Sequence, residues 1–135
     1  MSDLTLEFIN RLQTLTEGLL WMSEIDASFS TIHWDAPLQN ELTPEKVLEL
    51  TGQGPETPVE VVEVDNFFAA ATEEQEWFGP EEQETATRYR ELVLALKQNL
   101  DHLTVYRMGE VRLNVYIVGY LAESWVGLAT QVVET

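Results

Sequence analysis

The chain has 135 residues, with 24 acidic against 7 basic side chains, a formal charge of −17 and no cysteine. This length suits one domain, 1–135, with one core. The absence of cysteine excludes a disulfide scaffold, a thiolate metal site and a cysteine nucleophile. A field of this sign repels nucleic acid and anionic membranes and attracts cations and basic proteins. A hydrophobic fraction of 44% with 10% aromatics is too high for a disordered acidic tail. The first residues lack the basic start and apolar core of a signal peptide, and no apolar run approaches the ~20 residues that span a bilayer. The expectation is a soluble, cytoplasmic protein, monomeric when free.

Leu4, Phe8, Leu12, Leu15 and Leu19 recur at spacings of three and four, which predicts an amphipathic helix ending near Gly18. Leu19 to Met22 is apolar on both sides and reads as a buried turn or short strand. Ser23-Glu24-Ile25-Asp26 breaks that pattern and should surface. Phe29, Thr31, Ile32 and Trp34 favour one strand over Ser28 to Trp34, closed by Asp35-Ala36-Pro37. Thr43 is a good N-cap for a second helix, with Pro44 in its first turn and Glu45 at its positive end. It should run to about Leu50, before the loop Gly52 to Pro55.

Val59 to Val64 reads as a strand of imperfect alternation, with Val59, Val61 and Glu63 on one face and Glu60, Val62 and Val64 on the other. A short helix should follow, capped by Asp65 or Asn66. Thr72 to Gly79 is an acidic connector that presents Trp77. From Pro80 to about Leu100 the stripe Tyr89, Leu92, Val93, Leu96 and Leu100 predicts a long helix. Thr104 to Met108, Val111 to Tyr120 and Val126 to Val133 read as strands, and Gly127 marks a bulge or a close approach. The pattern predicts an α+β fold, with one central, mainly antiparallel sheet covered on both faces.

Catalytic signatures are absent. His33 and His102 have no HxxH or HExxH neighbour, there is no GxSxG, and the GxG at Gly52 to Gly54 runs into Pro55 rather than opening a helix. Glu24 and Asp26 lack the ligand count and glycine turn of a calcium loop. The expectation is a protein that is not an enzyme, with no cofactor and no metal of its own. Trp21, Trp34 and Trp125 sit in apolar or β-rich contexts and read as core. Trp77 is different, because no basic residue stands between Lys46 and Arg88 and Glu73, Glu74, Glu76 and Glu81 surround it. It is either a lid folded back on the long helix or an exposed anchor for a partner.

Several stretches carry a resemblance: GLLxMSE at 18–24, LxxTGxG at 48–54, PxxVVxxDxFFxxAT at 58–72, Glu76-Trp77, VYRxGEVxLxVYxxG at 105–119, and the closing VVET. In this ordered series the chain resembles the nuclease A inhibitor family and lies close to its type inhibitor. The resemblance implies a three-layer α-β-α sandwich and a stoichiometric inhibitor of a sugar-nonspecific, divalent-metal-dependent DNA/RNA endonuclease. It implies partner-binding roles for Glu24, for Glu76 with Trp77, and for Thr135. The type inhibitor has aspartate before the tryptophan, so Glu76 is one methylene longer, and Ile25 replaces a polar residue.

Physical chemistry is compatible with those roles. A nuclease cleft is basic, and a carboxylate such as Glu24 accepts bidentate hydrogen bonds from arginine as a phosphate does. Thr135 offers a hydroxyl and a terminal carboxylate, oxygen ligands suited to the hard metal ion of a target nuclease; as a frayed tail it would do neither. The alternative is an acidic interaction module that uses the same scaffold to bind a different basic protein.

Overall fold

Apolar residues at helical spacing form α1 (Asp3–Thr16) in the computed structural model, which describes residues 3–35, 42–73 and 75–134. Its buried stripe is Thr5, Phe8, Ile9, Leu12 and Thr16, while Leu4 is exposed. The helix is thus rotated toward Ile9, and it stops at Thr16, whose hydroxyl donates to Leu12 O at 2.8 Å.

The run after it forms β1 (Leu20–Met22), paired antiparallel with β2 (Asp26–Ser28) in a two-stranded sheet of its own. Only Trp21 of β1 turns toward the core; Leu20 and Met22 are exposed. The single strand expected over Ser28 to Trp34 is therefore two, because β3 (Ser30–Asp35) leaves the hairpin for the main sheet. The break falls at Phe29, whose ring turns in to meet Trp21 edge-on at 6.4 Å. The expected closure at Ala36-Pro37 lies outside the described residues.

The second helix starts as its caps dictate. In α2 (Pro44–Thr51) the Thr43 hydroxyl accepts the Lys46 N–H at 3.2 Å, and Gly52 closes the helix in the left-handed conformation, φ 73°. Strand β4 (Val59–Val62) is shorter than expected, and α3 (Val64–Thr72) begins at Val64. Asp65 and Asn66 are thus inside the first turn rather than capping it. Asp65 gains the positive helix end and the Lys97 ammonium at 3.0 Å. Helix α4 (Pro80–Asn99) buries Ala86, Tyr89, Leu92, Ala95 and Leu96, close to the expected stripe.

Strands β5 (Asp101–Met108), β6 (Arg112–Leu121) and β7 (Ser124–Val133) complete a five-stranded antiparallel sheet of order β3-β7-β6-β5-β4. Residues of α1, α3 and α4 pack on the face carrying Val105, Val115, Ile117 and Leu128. Val47 and Leu48 of α2 pack with Tyr106, Met108 and Val118 on the other face. The fold is α+β, with helices on both sides of the sheet. Among the described residues no helix is long and apolar enough to cross a membrane.

Gly127 lies in regular register opposite Val118, with no bulge. It is a close approach, since a Cβ there would collide with the Ile117 carbonyl. The β6–β7 link is a two-residue turn at Ala122 and Glu123, with φ 47° and 64°. Positive φ at both centres is the conformation that Asn-Gly adopts at least cost. Replacing Ala122-Glu123 by Asn-Gly should stabilise the protein by about 1 kcal/mol, read as a higher midpoint in urea with an unchanged slope.

Tyr89 ties α4 to the hairpin, donating its hydroxyl to Leu20 O at 2.5 Å. Burial pushes its phenol well above the usual range, and neighbouring Arg88 pulls weakly the other way. The fold therefore holds the protonated form. That contribution is complete below the ordinary phenol value of about 10 and is lost as pH rises beyond it. Stability should fall on the alkaline side of about pH 10, and Tyr89→Phe should flatten the fall in urea midpoints measured across that range.

Candidate functional site

Glu24 stands at the tip of the β1–β2 hairpin, between Met22 and Asp26, which pair across it. Ser23 shapes the turn: its amide donates to Ile25 O at 2.9 Å, and its hydroxyl oxygen accepts the Ile25 N–H at 3.4 Å. The same hydroxyl accepts the Val133 N–H at 3.1 Å, and the Glu24 N–H donates to Val133 O at 3.4 Å. The turn is thus pinned to the last residue of β7, with the Glu24 side chain exposed.

The hairpin is held from behind by aromatic rings. Trp21 stacks on Phe67 at 4.4 Å and meets Phe68 and Tyr89 edge-on at 5.5 and 5.7 Å. Such pairs contribute roughly 0.5–1.5 kcal/mol each beyond the area they bury. They fix the hairpin on α3 and α4, and through Ser23 they fix where Glu24 sits relative to β7.

Glu134, one residue beyond β7, donates its amide to Val111 O at 2.9 Å. Its carboxylate pairs with Arg107 Nη2, and Arg107 Nη1 donates to Glu60 Oε1 at 2.7 Å. These groups, with Trp21, Phe67 and Val132, line a cleft of about 250 Å³. Thr135 lies outside the described residues.

Glu76 and Trp77 occupy the connector between α3 and α4. The Phe78 amide donates to Gln75 O at 3.0 Å, and the Trp77 ring meets Phe78 edge-on at 4.7 Å. Trp77 is 74% exposed, so of the two readings of this residue the lid fails and the exposed side chain stands. Trp125 is buried, while Trp21 and Trp34 are half-buried against other rings.

Strand direction places the Glu24 turn and Glu134 at one end of the sheet. Strand β7 runs toward Val133, and its Gln131 aligns with Asn114 and Met108 on the neighbouring strands. Helix α4 passes into β5 through one residue, Leu100, and its Tyr89 reaches Leu20 of the hairpin. Glu24 and Glu134 flank the end of β7, and the Glu76-Trp77 connector leads into α4, so these groups stand on separate connections.

The groups not foreseen are Ser23, Glu60, Arg107 and Glu134. Strand alternation held a signal, since Arg107 shares a face with buried Val105 and an inward arginine needs a carboxylate. It also accounts for Glu60 on the inward face of β4. The two histidines are unremarkable: His33 Nε2 lies 2.9 Å from Ser124 Oγ, and His102 is exposed where β5 shifts register. Among the described residues no three potential ligands gather for a metal ion.

A search of curated proteins found no match for this chain. Residues 6–135 match the family model described as nuclease A inhibitor-like protein. That match spans the hairpin, the connector and the whole sheet, and the chain therefore belongs to the nuclease A inhibitor-like family.

Proposed function

We propose that this protein is a stoichiometric inhibitor of a sugar-nonspecific, divalent-metal-dependent endonuclease, whose basic cleft it occupies as an acidic nucleic-acid mimic. The observation that carries the reading is the Glu24 turn, exposed and hydrogen-bonded to the end of β7. It offers a carboxylate on a fixed backbone where cleft arginines can take it bidentately in place of a phosphate. Trp77, exposed and flanked by Glu76, serves as an apolar anchor beside the cleft. Thr135 follows Glu134 directly and supplies oxygen to the nuclease metal. The net charge of −17 draws the basic enzyme in.

Truncating a buried, hydrogen-bonded charge at an interface costs about 2–5 kcal/mol, whereas a rim carboxylate costs about 1 or less. Glu24→Ala and Trp77→Ala should each weaken inhibition by at least roughly tenfold, and Glu91→Ala on the exposed side of α4 should leave it unchanged. Deleting Thr135, or extending the chain past it, should weaken inhibition without lowering the melting temperature. Nuclease titrations with these variants check the assignment. An extended chain that inhibits as tightly as the native one would falsify the metal-facing role of Thr135. A chain that binds basic proteins but leaves the nuclease active would point to a different partner for the same surface.

Association should be fast and salt-sensitive, because complementary fields raise on-rates by ~10–10³-fold and are screened over about 8 Å at physiological ionic strength. Stopped-flow rates at two salt concentrations test this. Rates indifferent to salt would make the acidic surface a solubility device.

A further inference from the structure

We propose that Arg107 and Ser23 are positioning residues that lock the Glu24 turn and the residue after β7 into one rigid docking unit. The inference rests on the inhibitor reading above and adds the residues that pre-organise its surface. Arg107 itself is badly placed to touch a partner. Its side chain is only 18% exposed, and both terminal nitrogens are engaged, Nη1 by Glu60 at 2.7 Å and Nη2 by Glu134. A guanidinium on the core face of a strand is costly unless paired, so Glu60 and Glu134 are held as firmly as it is.

The consequence falls on Glu134. The residue after a final strand is ordinarily where a chain frays. Here it is tied twice, through its carboxylate to Arg107 and through its amide to Val111 O at 2.9 Å. Ser23 completes the coupling. Its hydroxyl oxygen accepts the N–H of Val133 at 3.1 Å and that of Ile25 at 3.4 Å, while the Glu24 amide donates to Val133 O. Two segments far apart in sequence, 23–25 and 133–134, cannot then move independently. A surface ordered before binding loses less entropy on association than one ordered by it.

The test measures inhibition of a sugar-nonspecific, Mg²⁺-dependent endonuclease by full-length variants, together with backbone amide exchange in the free proteins. Arg107→Gln should weaken inhibition about tenfold and speed exchange at Val133 and Glu134 by a similar factor. Glu134→Gln, which leaves the Arg107–Glu60 pair intact and alters an exposed side chain, should move both readouts the same way should Arg107→Gln fold poorly. The loss from Arg107→Gln should largely disappear in a chain already lacking Thr135. Likewise, the loss from Ser23→Ala should shrink in a Glu24→Ala background. Native-like inhibition by both Arg107→Gln and Glu134→Gln overturns the proposal. So does an Arg107→Gln loss of equal size with and without Thr135, which would mark general support of the fold. Should the native chain fail to inhibit, the functional reading falls, and the exchange rates still decide whether the lock exists. Unchanged rates at Val133 and Glu134 overturn it.

Discussion

The stack of Trp21 on Phe67 is the contact on which the arrangement of this protein depends. The β1–β2 hairpin has only two three-residue strands, an isolated hairpin is marginal in water, and this stack is the closest ring contact that fastens it to the helices. Phe68 and Tyr89 close around the same indole, so one ring joins the hairpin to α3 and α4. The Tyr89 hydrogen bond to Leu20 O adds direction to that contact. Everything the hairpin tip can offer a partner follows from this junction.

Charge is the second constraint. With 7 basic residues against 24 acidic ones, several cations are spent inside the fold. Arg88 donates to the carbonyls of Leu15 and Glu17 at the end of α1, Lys97 meets Asp65 between α3 and α4, and Arg107 bridges Glu60 and Glu134. The exposed pairs are each worth at most about 1 kcal/mol, but their placement matters more than their strength. They neutralise carboxylates near element ends, while Glu76, Glu81 and Glu82 face solvent. The α3–α4 connector stays acidic, with the exposed Trp77 among its carboxylates.

Membership of a nuclease A inhibitor-like family fits a scaffold that spends its regular structure on holding short connections. The long strands β6 and β7 pair over ten residues each without a register break. Strand β6 begins and β7 ends beside the turn that carries Glu24. A rigid sheet with functional groups on its connecting loops is a common division of labour, since loops vary freely where strands cannot.

Local signals made much of this legible in the sequence. Thr43-Pro44 located the start of α2, the spacing of Tyr89, Leu92 and Leu96 located α4, and the alternation of Val111, Leu113, Val115 and Ile117 located β6. The resemblance carried by the MSE and Glu76-Trp77 stretches indicated the family. These are features of neighbouring residues, and helix caps and side-chain periods act over a few positions. What tertiary structure alone decided involves partners far apart in the chain. Phe29 breaks a strand because Trp21 waits in the core, and Asp65 enters a helix instead of capping it, where Lys97 reaches it. Trp77 was ambiguous because exposure depends on what packs above it, which no local pattern encodes. The pairing of Arg107 with Glu134, and of Ser23 with Val133, joins residues 27 and 110 positions apart, a choice made only when the sheet closes.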